Sequence, residues 1–238
     1  MILGCLGIVI RVLRHGLGRK YVDLKLRIDA IDSLIAVKEA FSYSELSSLL
    51  SISAPILSKY HQGSTIPNKE TSEKILNLLL SKGIVKDFIY RLLRSKKYGS
   101  IVRLLSNSLL VNYLSLYFYE RIIDRLAGTS VAALIAPPDA SALLALGIAL
   151  RLNVSLTLIP SITTPIYESL ELVKEVGIDR ESPAVAIYAI LGKECVPHLK
   201  KFMELLKLDL KFIGAVILVD KSILNELPKG ITVEYLLP

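Results

Sequence analysis

Cysteine is nearly missing from this chain: Cys5 and Cys195 are its only two, far apart and in no metal-ligand spacing. Neither a disulfide framework nor a zinc site is indicated. The three histidines, His15, His61 and His198, form no ligand pattern either, and only His61 stands out, as a phosphate or base contact. No metal or cofactor is expected, and a cytoplasmic protein is the simplest reading. Long apolar runs are missing too. A mean hydropathy of +0.51 raises the membrane question, but Pro137, Pro138 and Asp139 interrupt residues 126–150. The uncharged runs 104–119 and 152–167 fall short of the roughly 18–20 residues that a spanning helix needs. No membrane partner is expected. Met1–Ile10 is apolar with Arg11 behind it, which inverts the charge order of a secretory signal. Residues 1–23 are therefore poorly specified: an over-long gene start, or a short strand packed on the domain that follows.

Acidic residues are scarce in one half only. The chain carries a net charge of +7. Residues 1–99 hold 16 Lys and Arg against 8 Asp and Glu, whereas residues 100–238 hold 13 against 14. All of the basic excess lies in the first half. That segregation suits a polyanion partner, because phosphate affinity comes largely from releasing condensed counterions.

Within the basic half, the stretch from Ser44 to Gly63 reads as two short helices. Leu46, Leu49 and Leu50 form an apolar i, i+3, i+4 face. Ser51, Ile52 and Ser53 break it, and Ile56, Leu57 and Tyr60 restart it. Ser53 suits an N-cap, Pro55 is tolerated in the first turn, and Gly63 stops the second helix. A preceding helix is expected over Ile28–Phe41 and a following one over Asn68–Leu80. A further amphipathic helix over 84–98 ends in a basic tail. Over about Leu26 to Leu80 the stretch resembles the lambda-repressor-like helix-turn-helix family, on helix lengths, the short turn, and the run Leu57 to Gly63 followed by Ile66 and Pro67. The resemblance implies nucleic-acid binding, with the second helix of the motif in a major groove. The residues expected to read bases are Ser53, Ala54, Ile56, Lys59 and Gln62. Lys69, Lys74, Arg91, Arg94, Lys96 and Lys97 are expected backbone contacts.

Gly99 marks the expected domain boundary, which gives a helix-turn-helix domain over 24–99 and a second domain over 100–238. Residues 101–126 read as helical, with Tyr113, Tyr117, Phe118 and Tyr119 among leucines. That stripe fits core or a dimer surface better than a base-stacking platform. From Val131 the period changes. Val131–Ala136, Val154–Ile159, Val185–Leu191 and Phe212–Val219 are short apolar runs. Helical patterns at Ala140–Leu152 and up to Leu208 separate them, and Ile231–Leu236 reads as a last edge strand. Two β-α-β units imply a parallel sheet with right-handed crossovers. The fold class is thus α plus α/β, a helical domain followed by a parallel-sheet domain.

Over about Leu104 to Val219 the second half resembles the type I phosphoribosyltransferase fold, on the segment Ala133–Ala142 leading into a small-residue helix and on Val185–Val219 closing at Asp220. Catalysis is not expected to survive. Ala189 and Ile190 stand where the family carries an acidic pair for the ribose. Lys193, Glu194, Cys195, Val196 and Pro197 stand where it carries a Thr/Gly-rich phosphate loop, and Ala140, Ser141 and Ala142 follow Asp139 where paired glycines belong. Asp139, Ser141, Lys193 and Glu194 are the candidates for lining a ligand pocket at the strand ends. The residues alone leave open an unrelated doubly wound domain. Joined, the two resemblances imply an archaeal-type DNA-binding transcription regulator. Its inactive phosphoribosyltransferase-like domain would serve homodimerisation and sensing of a small-molecule effector, with DNA ahead of RNA as target. An RNA- or ribosome-associated protein and an atypical phosphoribosyltransferase are the alternatives.

Overall fold

The computed structural model of the chain describes residues 18–126, 131, 133–158, 184–206, 210–227 and 231–238. Cys5, His15 and the rest of residues 1–17 lie outside them, as do the end of the expected second strand at Ile159 and the last residues of the helix expected to reach Leu208. The chain divides into two compact units between Tyr113 and Leu114. The division falls inside a helix, later than the Gly99 boundary expected from charge density.

The first unit is helical: α1 (Arg19–Val37), α2 (Tyr43–Leu50), α3 (Ala54–His61), α4 (Lys69–Leu79), α5 (Lys82–Arg94), α6 (Ile101–Leu105) and the start of α7 (Ser108–Leu126). Ala30, Leu34 and Val37 form the buried stripe of α1, which packs on α4. Leu46 and Leu50 of α2, Leu57 of α3, Ile75 and Leu79 of α4 and Phe88 of α5 complete the core. Burial of each such side chain favours folding by roughly 1.5–3 kcal/mol. Tyr113 joins them, with its ring edge-on to Phe88 at 5.1 Å and its hydroxyl donating to the Leu79 carbonyl at 2.6 Å.

Local sequence explains the helix starts. Ser42 and Glu45 form a reciprocal capping box on α2, and Asn68 Oδ1 accepts the Thr71 amide at 2.8 Å on α4. Asn107 Oδ1 accepts the Leu109 and Leu110 amides at 3.0 and 3.3 Å, so the helix expected over 101–126 is broken there into α6 and α7. Two further expectations are corrected. The first helix begins at Arg19, so residues 19–23 are ordered helix, and it ends at Val37, short of Phe41. The helix expected over 84–98 ends at Arg94, which leaves Lys96, Lys97 and Tyr98 beyond it.

The second unit is α/β. It comprises the rest of α7, then β1 (Ala133–Ala136), α8 (Ala140–Leu152), β2 (Ser155–Leu158), β3 (Ala184–Ile187), β4 (Ile190–Leu191), α9 (Cys195–Leu206), β5 (Leu210–Val219), a 3-10 turn (Lys221–Asn225) and β6 (Thr232–Leu237). Every described strand pairing is parallel. The order is β2-β1-β3-β5, with β4 farther along β5 and β6 also on β5. The chain moves one way from β1 and the other way from β3, so the strand order reverses between them. With the right-handed crossovers general to parallel β-α-β units, this reversal places α8 and α9 on opposite faces. Val196 and Leu199 of α9 share a buried cluster with Ile135, Ala184 and Ala186. On the α8 face, the Ser115 hydroxyl of α7 donates to the Leu144 carbonyl at 3.3 Å. Tyr117, Phe118 and Tyr119 are buried, as core rather than platform.

The strand expected over Val185–Leu191 is interrupted at Tyr188 and Ala189. The Ala189 amide donates to the buried Ser141 hydroxyl at 2.8 Å, and its carbonyl accepts from both Ile217 and Leu218 at 3.1 and 3.2 Å. From Ile187 opposite Gly214 to Ile190 opposite Leu218 the register thus slips by one residue along β5, and the strand resumes as β4.

Candidate nucleic-acid interface and strand ends

Helices α2 and α3 are joined by Ser51, Ile52 and Ser53, with Ser51 in the left-handed conformation (φ 53°, ψ 41°) that reverses the chain. Leu57 anchors α3 to the core. At the far end of α3, His61 Nδ1 shares a hydrogen bond with the Tyr43 hydroxyl of α2, and Lys38 lies 4.5 Å from the Tyr43 ring centre. This holds α3 at its middle and at its C-terminal end and commits one nitrogen of His61 to structure.

The opposite side of α3 faces water. Ser53, Pro55, Ile56, Lys59 and Gln62 are exposed, and Ala54 is half-buried on the flank. At 100° per residue, Pro55, Ile56, Lys59 and Gln62 share the arc opposite Leu57. Ser53 sits at the N-cap, but its side chain makes no capping bond, unlike Ser42 and Asn68. Among the described residues, no hydrogen bond or ion pair engages the side chains of Ser53, Lys59 or Gln62. Pro55 is the member of this arc that sequence reasoning passed over. Its place as a tolerated first-turn proline hid its exposure.

The cations expected to contact the backbone behave differently from one another. Arg91 reaches Glu45 Oε1 at 2.7 Å and Asp87 Oδ2 at 3.1 Å, and it lies 4.2 Å from the Phe41 ring centre. Lys97 pairs with Glu39 at 2.5 Å. Arg91 and Lys97, expected as phosphate contacts, are thus each held in ion pairs within their own unit. Lys69 sits 3.5 Å from Asp23, and Arg94 lies over the Tyr90 ring at 4.2 Å. Lys74 lines an open groove of about 450 Å³ beside Glu70 and Glu73, so its field is partly offset. Lys96 is exposed, and among the described residues it has no ion pair. The Arg91 contact, together with the Ser42 amide and hydroxyl, pushes the Glu45 carboxyl down to about 2. Glu39 is likewise held below the usual carboxylate range, chiefly by its hydrogen bond from Lys97.

In the second unit, the carboxyl ends of the strands bring together Asp139, Lys193, Glu194 and Asp220. Asp139 caps α8, its Oδ1 accepting the Ser141 amide at 2.7 Å. Glu194 folds back over Gly192, where an added Cβ would lie 2.3 Å from its carboxylate oxygen. The residues that open α8 and α9 are thus preceded by carboxylates, which oppose an anion at either helix end. Asp220 accepts from the Ser222 hydroxyl and amide at 2.7 and 2.9 Å, and these bonds hold its carboxyl low, with Lys193 a lesser influence. Burial pushes the Cys195 thiol up, reinforced by Glu194 and Asp139. Ser141, expected to line a pocket, is buried, and its hydroxyl accepts the Ala189 amide.

No family model, curated protein or solved structure matches the chain. Its own geometry is therefore the ground for a functional reading. Among the described residues, no cluster of three or more His, Cys, Asp and Glu is placed to hold a metal, and no helix is long and apolar enough to cross a membrane. Sequence reasoning also missed Glu234 on β6, which is 4% exposed and faces the Tyr117 hydroxyl at 3.4 Å and Arg125 at 3.6 Å. The surrounding run of apolar residues gave no sign that an acid would be buried there.

Proposed function

We propose that the chain is a DNA-binding transcription regulator. Helix α3 enters the major groove, and α2 crosses the backbone behind it. One observation carries the reading: the outward arc of α3 holds polar side chains with no partner, on a helix anchored through Leu57 and tied at its C-terminal end by His61, in the unit that holds the basic excess. Ser53, Lys59 and Gln62 supply the hydrogen-bonding groups, while Lys69, Lys74, Arg94 and Lys96 supply phosphate attraction. The second unit, whose sequence resembles a phosphoribosyltransferase, dimerises the protein and senses a small ligand without catalysis. Two observations support the inactive reading: carboxylates precede both helix starts, and the Ala189 amide is bonded to Ser141. A two-fold dimer would set two α3 helices about 34–36 Å apart, one turn of duplex.

The test is titration of the full chain, by fluorescence anisotropy at two salt concentrations, against equal-length duplex DNA and structured RNA. Preference for duplex DNA that falls with salt is the expected result. Preference for RNA would replace this reading with an RNA-associated one, and binding to neither would remove it.

A further inference from the structure

The chemistry of α3 is unevenly distributed along its outward face. Lys59 and Gln62, its only outward side chains with hydrogen-bonding ends, stand in the second half. The first half presents Pro55 and Ile56, with Ile56 44% exposed on a helix whose other large aliphatic residue, Leu57, is fully buried. In groove-docked recognition helices, residues near the N-terminus reach the base edges. Pro55 and Ile56 can neither donate nor accept a hydrogen bond there. The one major-groove feature that an apolar side chain distinguishes is the C5-methyl group of thymine.

We infer that Ile56, supported by Pro55, is a specificity-determining contact that selects thymine methyl groups in the half-site. The inference rests on the DNA-binding reading and deepens it. Ser53, beside them with an uncapped hydroxyl, supplies the polar contact at the same end. Lys59 and Gln62 follow one and two turns later and suit guanine and adenine edges respectively. The preferred half-site therefore places thymine under the start of α3 and purines farther along.

The test selects duplexes from a random pool with the full chain, then replaces each thymine of the enriched site with deoxyuridine. This removes the methyl group and leaves pairing unchanged. Affinity is expected to fall about three- to fivefold at the contacted thymine. Ile56→Ala is expected to weaken binding to the thymine site by a similar factor and to lose its sensitivity to the deoxyuridine exchange, so that the two losses do not add. Ile56 is exposed, so the variant retains its core. Enriched sites without thymine would overturn the inference. So would a wild-type chain indifferent to the exchange at every position, or an Ile56→Ala variant still sensitive to it. In each of these outcomes the duplex is bound and the DNA-binding reading stands, whereas failure to bind or enrich any duplex removes both.

Discussion

Ser51 holds the turn between α2 and α3 in a conformation that L-residues adopt at a cost. Its φ of 53° and ψ of 41° place it in the left-handed region, where the Cβ crowds the following carbonyl by roughly 1–2 kcal/mol. Glycine is free of that crowding but loses about 0.5–1 kcal/mol through the entropy of the unfolded chain. Ser51→Gly is therefore expected to stabilise the first unit by about 0.5–1 kcal/mol, an increase of about 3–6 °C in its midpoint for a unit of this size. The Ser51 side chain is exposed, so little but the backbone term changes. Ser51→Val should lose stability, because a β-branched residue fits this region worst. Asn153, at φ 56° after α8, is an internal control: Asn tolerates the left-handed region, and Asn153→Gly should gain less. The chain has no Trp and its two units need not melt together, so the measurement is amide hydrogen exchange at Leu50 and Leu57 for Ser51 and at Ile148 and Ala149 for Asn153. A neutral or destabilising Ser51→Gly beside a tolerated Ser51→Val would refute the assigned turn.

The depressed Glu45 carboxyl makes the first unit sensitive to acid. Because its folded value lies below the ordinary carboxyl value, its stabilisation is complete above about pH 4.5 and lost as pH falls toward 2. Glu45→Gln should flatten that part of the pH–stability curve, followed by circular dichroism melts, leaving the smaller share carried by Glu39. Ser141→Ala strands the buried Ala189 amide and should cost the second unit about 1–3 kcal/mol in urea denaturation. A loss below a few tenths would show that the strand break has another cause.

Much of the second unit was legible because local signals agree. The Leu/Ala pattern marks α8 at Ala140–Leu152 from sequence alone, and the structure adds the Asp139 cap and the left-handed Asn153 at its two ends. Apolar runs between turn residues likewise mark the strands. What was hidden depends on partners far away in the chain. The break at Ala189 is made by a hydroxyl at Ser141, and no period within Val185–Leu191 announces it. Charge counting finds Arg91 and Lys97 but not Glu45 and Glu39, the acids that occupy them from α2 and from the turn after α1. The start of α1 was obscured because Val22, Leu24, Leu26 and Ile28 alternate with Asp23, Lys25 and Arg27 at a period of two, which does not read as helix.

The most direct test of the DNA-binding account is the salt dependence of duplex binding by the full chain, by Lys59→Ala and by Arg91→Ala, with circular dichroism showing all three folded. The account predicts that Lys59→Ala binds more weakly and that, because its cation in the groove also displaces counterions beside the base it reads, its log–log salt slope is shallower by at most about 0.9. Across roughly 50–200 mM salt this variant should lose up to about 3.5-fold less affinity than the parent. Arg91→Ala, whose cation is already paired, should keep the parental slope. Unchanged affinity and slope in Lys59→Ala would contradict the assignment of α3 to the groove.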